Sequence, residues 1–235
     1  MLAVSAPVTL LTGRLPADVS LPGAHGSLIA GGADDLVVRG NALGPVEWHW
    51  RPLALLGLRL GYHVRVAGTQ FTAEGDVGAG PGGRLDLDRM TVTAPLAVLA
   101  AASGSTSLPA ARGRLAARLG SMRLVHGWPV ALSGTVAVDD LLLAASPQPL
   151  GSYLLTFPAT GAAPTPAGGI AATLHDVKAP LTVEARLTLA PDRTYRFDGT
   201  LGRKSDTPAD LGPVLDMLGP ADGSGRRPFS VGGAL

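Results

Sequence analysis

The sequence predicts a mainly β protein: one large, curved antiparallel sheet that runs as a meander, with two or three short helices. Apolar and polar residues alternate along many short segments, and the 32 glycines and 20 prolines of the 235 residues recur between them. Alternation with a period of two is typical of half-buried strands, and turns at intervals of roughly 8–12 residues join antiparallel neighbours. A chain of this length is long enough to bury a core of its own.

The segment 46–51 is the expected centre of the first half of the sheet. Successive strand side chains point to opposite faces, so Trp48 and Trp50 share one face and the polar residues around them share the other. Pro52 should end this strand because it has no N–H to donate to a sheet ladder. The two large rings predict a core anchor. An aromatic platform for a sugar or a base is the alternative, which an aromatic content of only 4% disfavours.

Other strands are predicted from the same alternation. The segments 26–32 and 35–40 predict a hairpin with a glycine-rich bend. Later in the chain, a three-stranded meander is expected, with its last tight turn at Pro191-Asp192. The remaining strands are predicted at 59–66, 70–77, 84–92, 113–119, 123–125, 130–138, 152–157, 169–174, 181–189, 194–201 and 229–235.

Two stretches predict helices. Residues 95–102 begin with proline, which suits a first helical turn. Residues 209–218 form the second, with Gly219 as its C-cap. No run of about 18 apolar residues occurs, so the sequence contains no complete membrane-spanning segment.

We expect residues 15–235 to form a single β-rich domain. Residues 1–14 are apolar and are predicted to be the remnant of an N-terminal anchor or tail, with a short first strand as the alternative. A weak internal similarity places Ala-Pro-Leu at both 94–96 and 179–181. It raises the alternative of two repeated halves, 26–102 and 113–201, although β-rich chains often resemble themselves by composition alone.

Composition and motifs argue against catalysis. The chain has no cysteine, and its five histidines show no metal-ligand spacing. A G-x-S-x-G nucleophile motif is absent, and the glycine run at 78–83 lacks the Lys-Ser/Thr of a phosphate-binding loop. The formal net charge is +1, with no basic stripe of the kind that binds nucleic acid. We therefore expect no enzyme, no catalytic residue, no cofactor, no metal and no nucleic-acid partner.

A large sheet with few helices offers two other kinds of site. Free strand edges can accept a strand from a partner protein, and we expect such edges near Leu28 and Val231. An incompletely covered apolar face can bind a lipid or another hydrophobic ligand. Protein contact and ligand binding therefore stand as alternative functions at this point.

The order of motifs resembles protein N of the bacterial type II secretion system, the general secretory pathway. The similarity spans residues 15–235, from Leu15-Pro16 through the V-x-W-x-W-x-P pattern to the C-terminal end. The residues that carry it are Trp48, Trp50, Pro52, Gly151, Tyr153, Tyr195, Gly199, Gly219 and Phe229.

This resemblance implies a non-enzymatic accessory component at the periplasmic face of the inner membrane. Its partners would be other inner-membrane components of the secretion system, and it would act by protein contacts in export of folded proteins across the outer membrane. The family's single anchor helix should precede residue 15, where only an apolar stub is found. A lipid-binding β-groove similar to that of AsmA-like bridge proteins is the alternative.

Overall fold

The computed structural model describes residues 17–103, 111–143, 149–158, 169–205, 207, 215 and 220–234. These residues confirm the mainly β prediction: they form a 13-stranded and a 3-stranded antiparallel sheet. The strands are β1 (Val19–Ser20), β2 (His25–Gly26), β3 (Ala30–Ala33), β4 (Val37–Val38), β5 (Asn41–Ala42), β6 (Val46–Arg51), β7 (Leu60–Ala67), β8 (Thr72–Ala79), β9 (Arg84–Pro95), β10 (Ala111–Val125), β11 (Trp128–Leu143), β12 (Gly151–Phe157), β13 (Ile170–Lys178), β14 (Leu181–Leu189), β15 (Thr194–Arg203) and β16 (Arg226–Ala234).

The large sheet is a meander from β6 to β16, in which each strand pairs with the next one along the chain. On the other side of β6 it is extended by β3 and then β2. A 3₁₀ helix at Pro52–Gly57 follows β6, so this strand ends before Pro52 as predicted. The α-helix α1 spans Leu96–Ser103, close to its predicted position. The second predicted helix lies outside the described residues except Leu215, which is helical.

The predicted hairpin between 26–32 and 35–40 is wrong. Instead β3 pairs with β6, while β4 joins β1 and β5 in the small sheet. A side-chain contact explains the difference, because Asp35 Oδ1 accepts the N–H of Gly44 at 2.7 Å. The N–H of Leu36 also donates to the carbonyl of Gly44 at 2.8 Å. These bonds fold 35–44 back on itself, so β4 is not available to β3.

The register gives the meander two chemically different faces. Across β8, β9 and β10, one face carries Val77, Leu87 and Met122 side by side. The opposite face of the same strands carries charged and hydroxyl side chains such as Asp86 and Arg123. Register shifts at 74/76, 112/114 and 119/121 mark bulges, which bend long antiparallel strands.

Buried apolar residues form three separate clusters along the sheet. The first surrounds Trp48, which is 6% exposed, and the small sheet contributes Val38 to its border while α1 contributes Val98. The second includes Leu181, Val183 and Leu215. The third includes Phe157, Ile170 and Ala172.

Candidate functional site

Trp48 and Trp50 lie on the same face of β6 but differ in burial. Trp48 is buried, and its indole N–H donates to the carbonyl of Ser27 at 3.0 Å. Its ring lies so close to Gly31 that a Cβ there would come within 2.6 Å of ring carbon Cζ2. Trp50 is half-buried beside Tyr62 in the register. The buried, hydrogen-bonded ring of Trp48 makes it a core side chain.

Gly151 and Tyr153 begin β12, where two strands come close together. Gly151 has a φ of +96°, and a Cβ there would lie 2.2 Å from the carbonyl oxygen of Lys178. Any larger residue would therefore displace the backbone. The hydroxyl of Tyr153 donates to the carbonyl of Leu150 at 2.8 Å. Burial and, secondarily, the charge of Asp176 raise the pKa of Tyr153 to about 12, so this side chain stays neutral at physiological pH.

Tyr195, Gly199 and Phe229 bring β15 and β16 together. A Cβ on Gly199 would lie 2.5 Å from that of Ala185, so glycine permits close approach of β14 and β15. Phe229 packs against Phe197 with ring centroids 5.5 Å apart. Tyr195 pairs with Gly233 in the register, and its ring lies over that glycine. Gly219, the remaining motif residue, lies outside the described residues.

The strand at one edge of the large sheet, β2, is short. β2 contributes only His25–Gly26, which pair with Gly32 and Gly31. Leu28, the residue predicted to mark this edge, lies in the bend between β2 and β3. The bend is held by the hydroxyl of Ser27, which accepts the N–H of Ile29 at 3.2 Å. This edge offers little main chain to a partner.

The other edge, β16, pairs with β15 over nine residues. The carbonyl of Thr194 accepts the N–H of Ala190 in the preceding turn at 2.9 Å, so the main chain of Thr194 faces β14. Backbone groups alternate in direction along a strand. The N–H and C=O groups of Phe197 must therefore face β16. Those of its register partner Val231 must face β15. Ser230 and Gly232, by the same alternation, direct their N–H and C=O groups away from the sheet.

Among the described residues, no strand pairs with this outer side of β16. Its first half carries two arginines and Pro228, and both charges and proline discourage edge pairing. The half from Ser230 to Ala234 has neither, and the Val231 side chain is 53% exposed. The arrangement can accept an extended strand through main-chain hydrogen bonds.

Two buried aspartates organise the polar face of the first half. Asp76 lies 3.0 Å from Nδ1 of His63 and forms ion pairs with Arg51 and Arg89. Burial by itself raises the pKa of Asp76. The His63 hydrogen bond and the two guanidinium charges outweigh it and hold this pKa below its usual value.

Asp86 is 4% exposed and pairs with three arginines. Its carboxylate accepts from Arg84 and Arg123 at 2.8 Å and from Arg59 at 3.2 Å. Burial again opposes the charge, but these arginines lower the pKa of Asp86. This cluster was not predicted from the sequence. The missed signal is the repetition of Arg and Asp at alternate positions on consecutive strands.

Within the described part of the chain, no group of three or more His, Cys, Asp or Glu side chains is arranged to hold a metal ion. None of the described helices has both the length and the apolar character that crossing a bilayer requires.

Comparison with known proteins identifies the class: this β-sheet protein is a component of a bacterial protein-secretion machinery. The sequence model of the family described as Type II secretion system (T2SS), protein N, matches residues 17–230. The chain belongs to this family, which confirms the resemblance seen in the sequence. It is similar to the type II secretion system protein N of Vibrio cholerae serotype O1 (strain ATCC 39315 / El Tor Inaba N16961), with 28% identity over 240 residues, 98% of this chain and 90% of that protein. No solved structure matches it.

Proposed function

We propose that the protein is a non-enzymatic accessory component of the type II secretion system that acts by protein contacts. Its partners are other inner-membrane components of the system, and its place is the periplasmic face of the inner membrane. In this role it assists the export of folded proteins across the outer membrane. Family membership supports the setting, and the unpaired half of β16 is the observation that carries the contact mechanism.

The contact would form by addition of a partner strand to β16. Ser230 and Gly232 supply outward N–H and C=O groups, and main-chain bonds of this kind provide affinity in strand addition. The side chain of Ser230 is held by its own bond, in which Oγ donates to Asp198 at 2.6 Å. Val231 offers an exposed apolar side chain beside these groups. Together they define a docking edge of main chain and one apolar contact.

The experiment is co-purification of the tagged protein with inner-membrane secretion components from cells. Ser230→Pro removes one outward N–H without removing a bond to β15, so we expect it to lower recovery of the partner at least about fivefold. Ser230→Ala is the matched control, because it loses the Asp198 bond but keeps the N–H. Equal recovery with Ser230→Pro and Ser230→Ala would reject β16 as the docking edge. Normal export in a strain lacking the protein would reject the accessory role itself.

A second candidate function is binding of a lipid or another hydrophobic ligand along the apolar face. Leu85, Leu87, Met122 and Leu124 are neighbours across β9 and β10 and are only half-buried. They belong to none of the three buried clusters. An apolar strip of this kind between two packed regions favours an elongated hydrophobic ligand.

Native mass spectrometry after mild purification tests this second candidate. A ligand-bound mass that disappears in Leu87→Asn would support it, and Thr91→Asn on the opposite face of β9 is the control. A single ligand-free mass under the same conditions would count against ligand binding along this apolar face.

A further inference from the structure

The connection from β6 to β7 exposes an unusual amount of apolar surface. Leu53, Leu56 and Leu58 are 77%, 86% and 81% exposed, and Leu55 and Leu60 beside them are also exposed. We call these five residues the leucine turn. In the described residues, the other exposed large apolar side chains are single valines elsewhere. Contiguous exposed apolar side chains mark a contact surface, whereas scattered ones need no explanation.

The leucine turn has a defined backbone conformation. Its 3₁₀ helix starts at Pro52, and Leu58 ends it in the left-handed conformation with its N–H donating to the carbonyl of Leu55 at 2.9 Å. Ala54 packs inward, so close to Gly61 that a Cβ on this glycine would lie 2.4 Å from that of Ala54. The fold therefore fixes the turn through alanine and glycine and leaves the leucines pointing to solvent.

Arginines surround this turn. Arg51 and Arg59 flank it in sequence, and together with Arg89 and Leu53 they line one depression, which also contains Asp76 and Asp88. Arg84 and Arg123 reach the same area through their bonds to Asp86, which Arg59 shares. We call these five arginines the arginine collar. Asp76 and Asp86 are buried beneath it, whereas the arginine side chains are 34–70% exposed.

The collar presents positive charge to solvent. Five arginines face three aspartates in this cluster, and the two buried aspartates hold only part of each guanidinium's donor set. Each guanidinium has five N–H donors, so donors remain for an outside anion. Phosphate is one of the anions, with carboxylate, that the planar guanidinium binds in a bidentate manner.

Other connections lie at the same end of the sheet. The glycine-rich turn between β8 and β9 joins the turn between β10 and β11, because the N–H of His126 donates to the carbonyl of Gly83 at 3.2 Å. The register places Leu60 opposite Ala79 and Leu85 opposite Leu124, so all three connections share this end. The exposed leucines thus project from a broad end and not from an isolated loop.

We infer that this end of the sheet binds the surface of an anionic phospholipid bilayer. The leucine turn inserts among the acyl chains just below the headgroups, and the arginine collar contacts lipid phosphates. Apolar side chains next to basic ones are the pattern of proteins that lie on membranes, where burial of the apolar part and attraction to anionic lipid add together. This site is separate from the proposed docking edge on β16.

Sedimentation of the purified 235-residue chain with vesicles tests the inference. The vesicles contain phosphatidylethanolamine with phosphatidylglycerol, or phosphatidylcholine alone for comparison. We expect binding to the anionic vesicles that weakens as salt is raised, since screening shortens the range of the collar's charge. We expect the variant Leu53→Gln/Leu56→Gln/Leu58→Asn to lower the partition coefficient at least about tenfold. Burial of even one leucine side chain in the acyl region would change this coefficient by about that factor.

Matched variants distinguish binding through this surface from nonspecific adsorption to vesicles. Val177→Gln changes an exposed valine away from both the leucine turn and β16, and it should leave vesicle binding unchanged. Arg89→Gln should weaken binding about fivefold, in line with the contribution of one basic residue near a membrane. Arg65→Gln is its control, since Arg65 is similarly exposed and pairs with Glu74 outside the collar. Circular dichroism of each variant establishes that it is folded.

Three results would overturn the inference. The first is absence of wild-type binding to anionic vesicles. The second is equal binding by the leucine variant, which would assign any attachment to residues outside the turn. The third is a leucine variant that still binds vesicles but no longer recovers secretion components, which would make this end a protein interface. Partner recovery with Ser230→Pro is a separate measurement, so failure here and failure of the proposed function are distinguishable.

Discussion

At one edge of the large sheet, β2 supplies two residues and sits beside a buried tryptophan, while at the other β16 extends along β15 for nine residues. The first edge adjoins a core covered by the small sheet and by α1. The second ends in Ser230–Ala234, a stretch without charge or proline. A long unprotected edge is a liability for a protein that works alone.

The two edges differ in how far their main-chain groups are already used. Main-chain groups near Trp48 are used inside the fold, as the bond from its indole to Ser27 illustrates. Outward groups on Ser230 and Gly232 have no strand partner among the described residues. Substitutions in the first region should therefore change stability, and those on the outer side of β16 should change association.

The largest effect is expected from Trp48→Ala. It leaves a cavity in the first cluster and an unpaired carbonyl at Ser27, so we expect the free energy of unfolding to fall by about 3–5 kcal/mol. Trp50→Ala should cost about 1–3 kcal/mol, because this ring is only half-buried. Urea denaturation followed by circular dichroism measures both. If Trp50→Ala proved the more damaging, or lost a ligand while staying stable, the aromatic platform would replace the core interpretation.

Asp86→Asn should have a smaller effect than Trp48→Ala. The substitution keeps the shape but removes the charge that holds Arg59, Arg84 and Arg123 together, and we expect a loss of about 2 kcal/mol. Glu184→Gln provides the comparison near β16, because its exposed pair with Arg226 should be worth less than about 0.5 kcal/mol. Chemical denaturation of both variants gives the two values. Equal losses would show that burial of Asp86 contributes nothing beyond a surface ion pair.

Acid should weaken the ion pairs of three aspartates, Asp76 and Asp86 in the first half and Asp176 beside Lys204. The pKa values of Asp76, Asp86 and Asp176 lie below the ordinary 3.8 in the fold. The unfolded chain therefore takes up protons at a higher pH than the folded chain does. This contribution to stability is complete above about pH 5 and is lost as pH falls through 4 towards the folded pKa values. Denaturation midpoints between pH 7 and pH 2 should show the decline.

The Asp86→Asn variant distinguishes this cause of acid sensitivity from a general charge effect. It lacks one of the three aspartates, so its stability should fall less steeply below pH 4. An identical slope in the variant and the wild type would remove Asp86 from the explanation.

Local patterns predicted the parts of the fold that depend on neighbours in sequence. The strands β13, β14 and β15 were predictable because each alternates and a short turn joins it to the next, as at Asp192, whose carboxylate accepts the N–H of Thr194 at 3.1 Å. The hairpin at 26–40 was wrong because one side chain, Asp35, redirects the chain through Gly44. A cap of that kind has no periodic signal.

The sites show the same division between near and distant contacts. The Trp48 core follows from two large rings on one strand. The Asp86 network joins arginines 27 and 37 residues away, and it depends on a register that shifts between Glu74 and Asp76. A shift of one residue would move these side chains to the other face. The direction of the Val231 N–H could not be predicted from the sequence either, because it is deduced from the observed bond between Ala190 and Thr194.

Proline on the outer side of β16 should change stability only slightly. Ser230→Pro should lower the free energy of unfolding by less than about 1 kcal/mol, because its N–H points away from β15 and edge strands tolerate proline there. Val231→Pro removes an N–H that faces Phe197 and should cost about 3 kcal/mol. Thermal or urea denaturation of the two proline variants shows which N–H is bonded to β15. Were Ser230→Pro the more harmful, the alternation along β16 would be reversed and the docking edge would move to Val231 and Gly233.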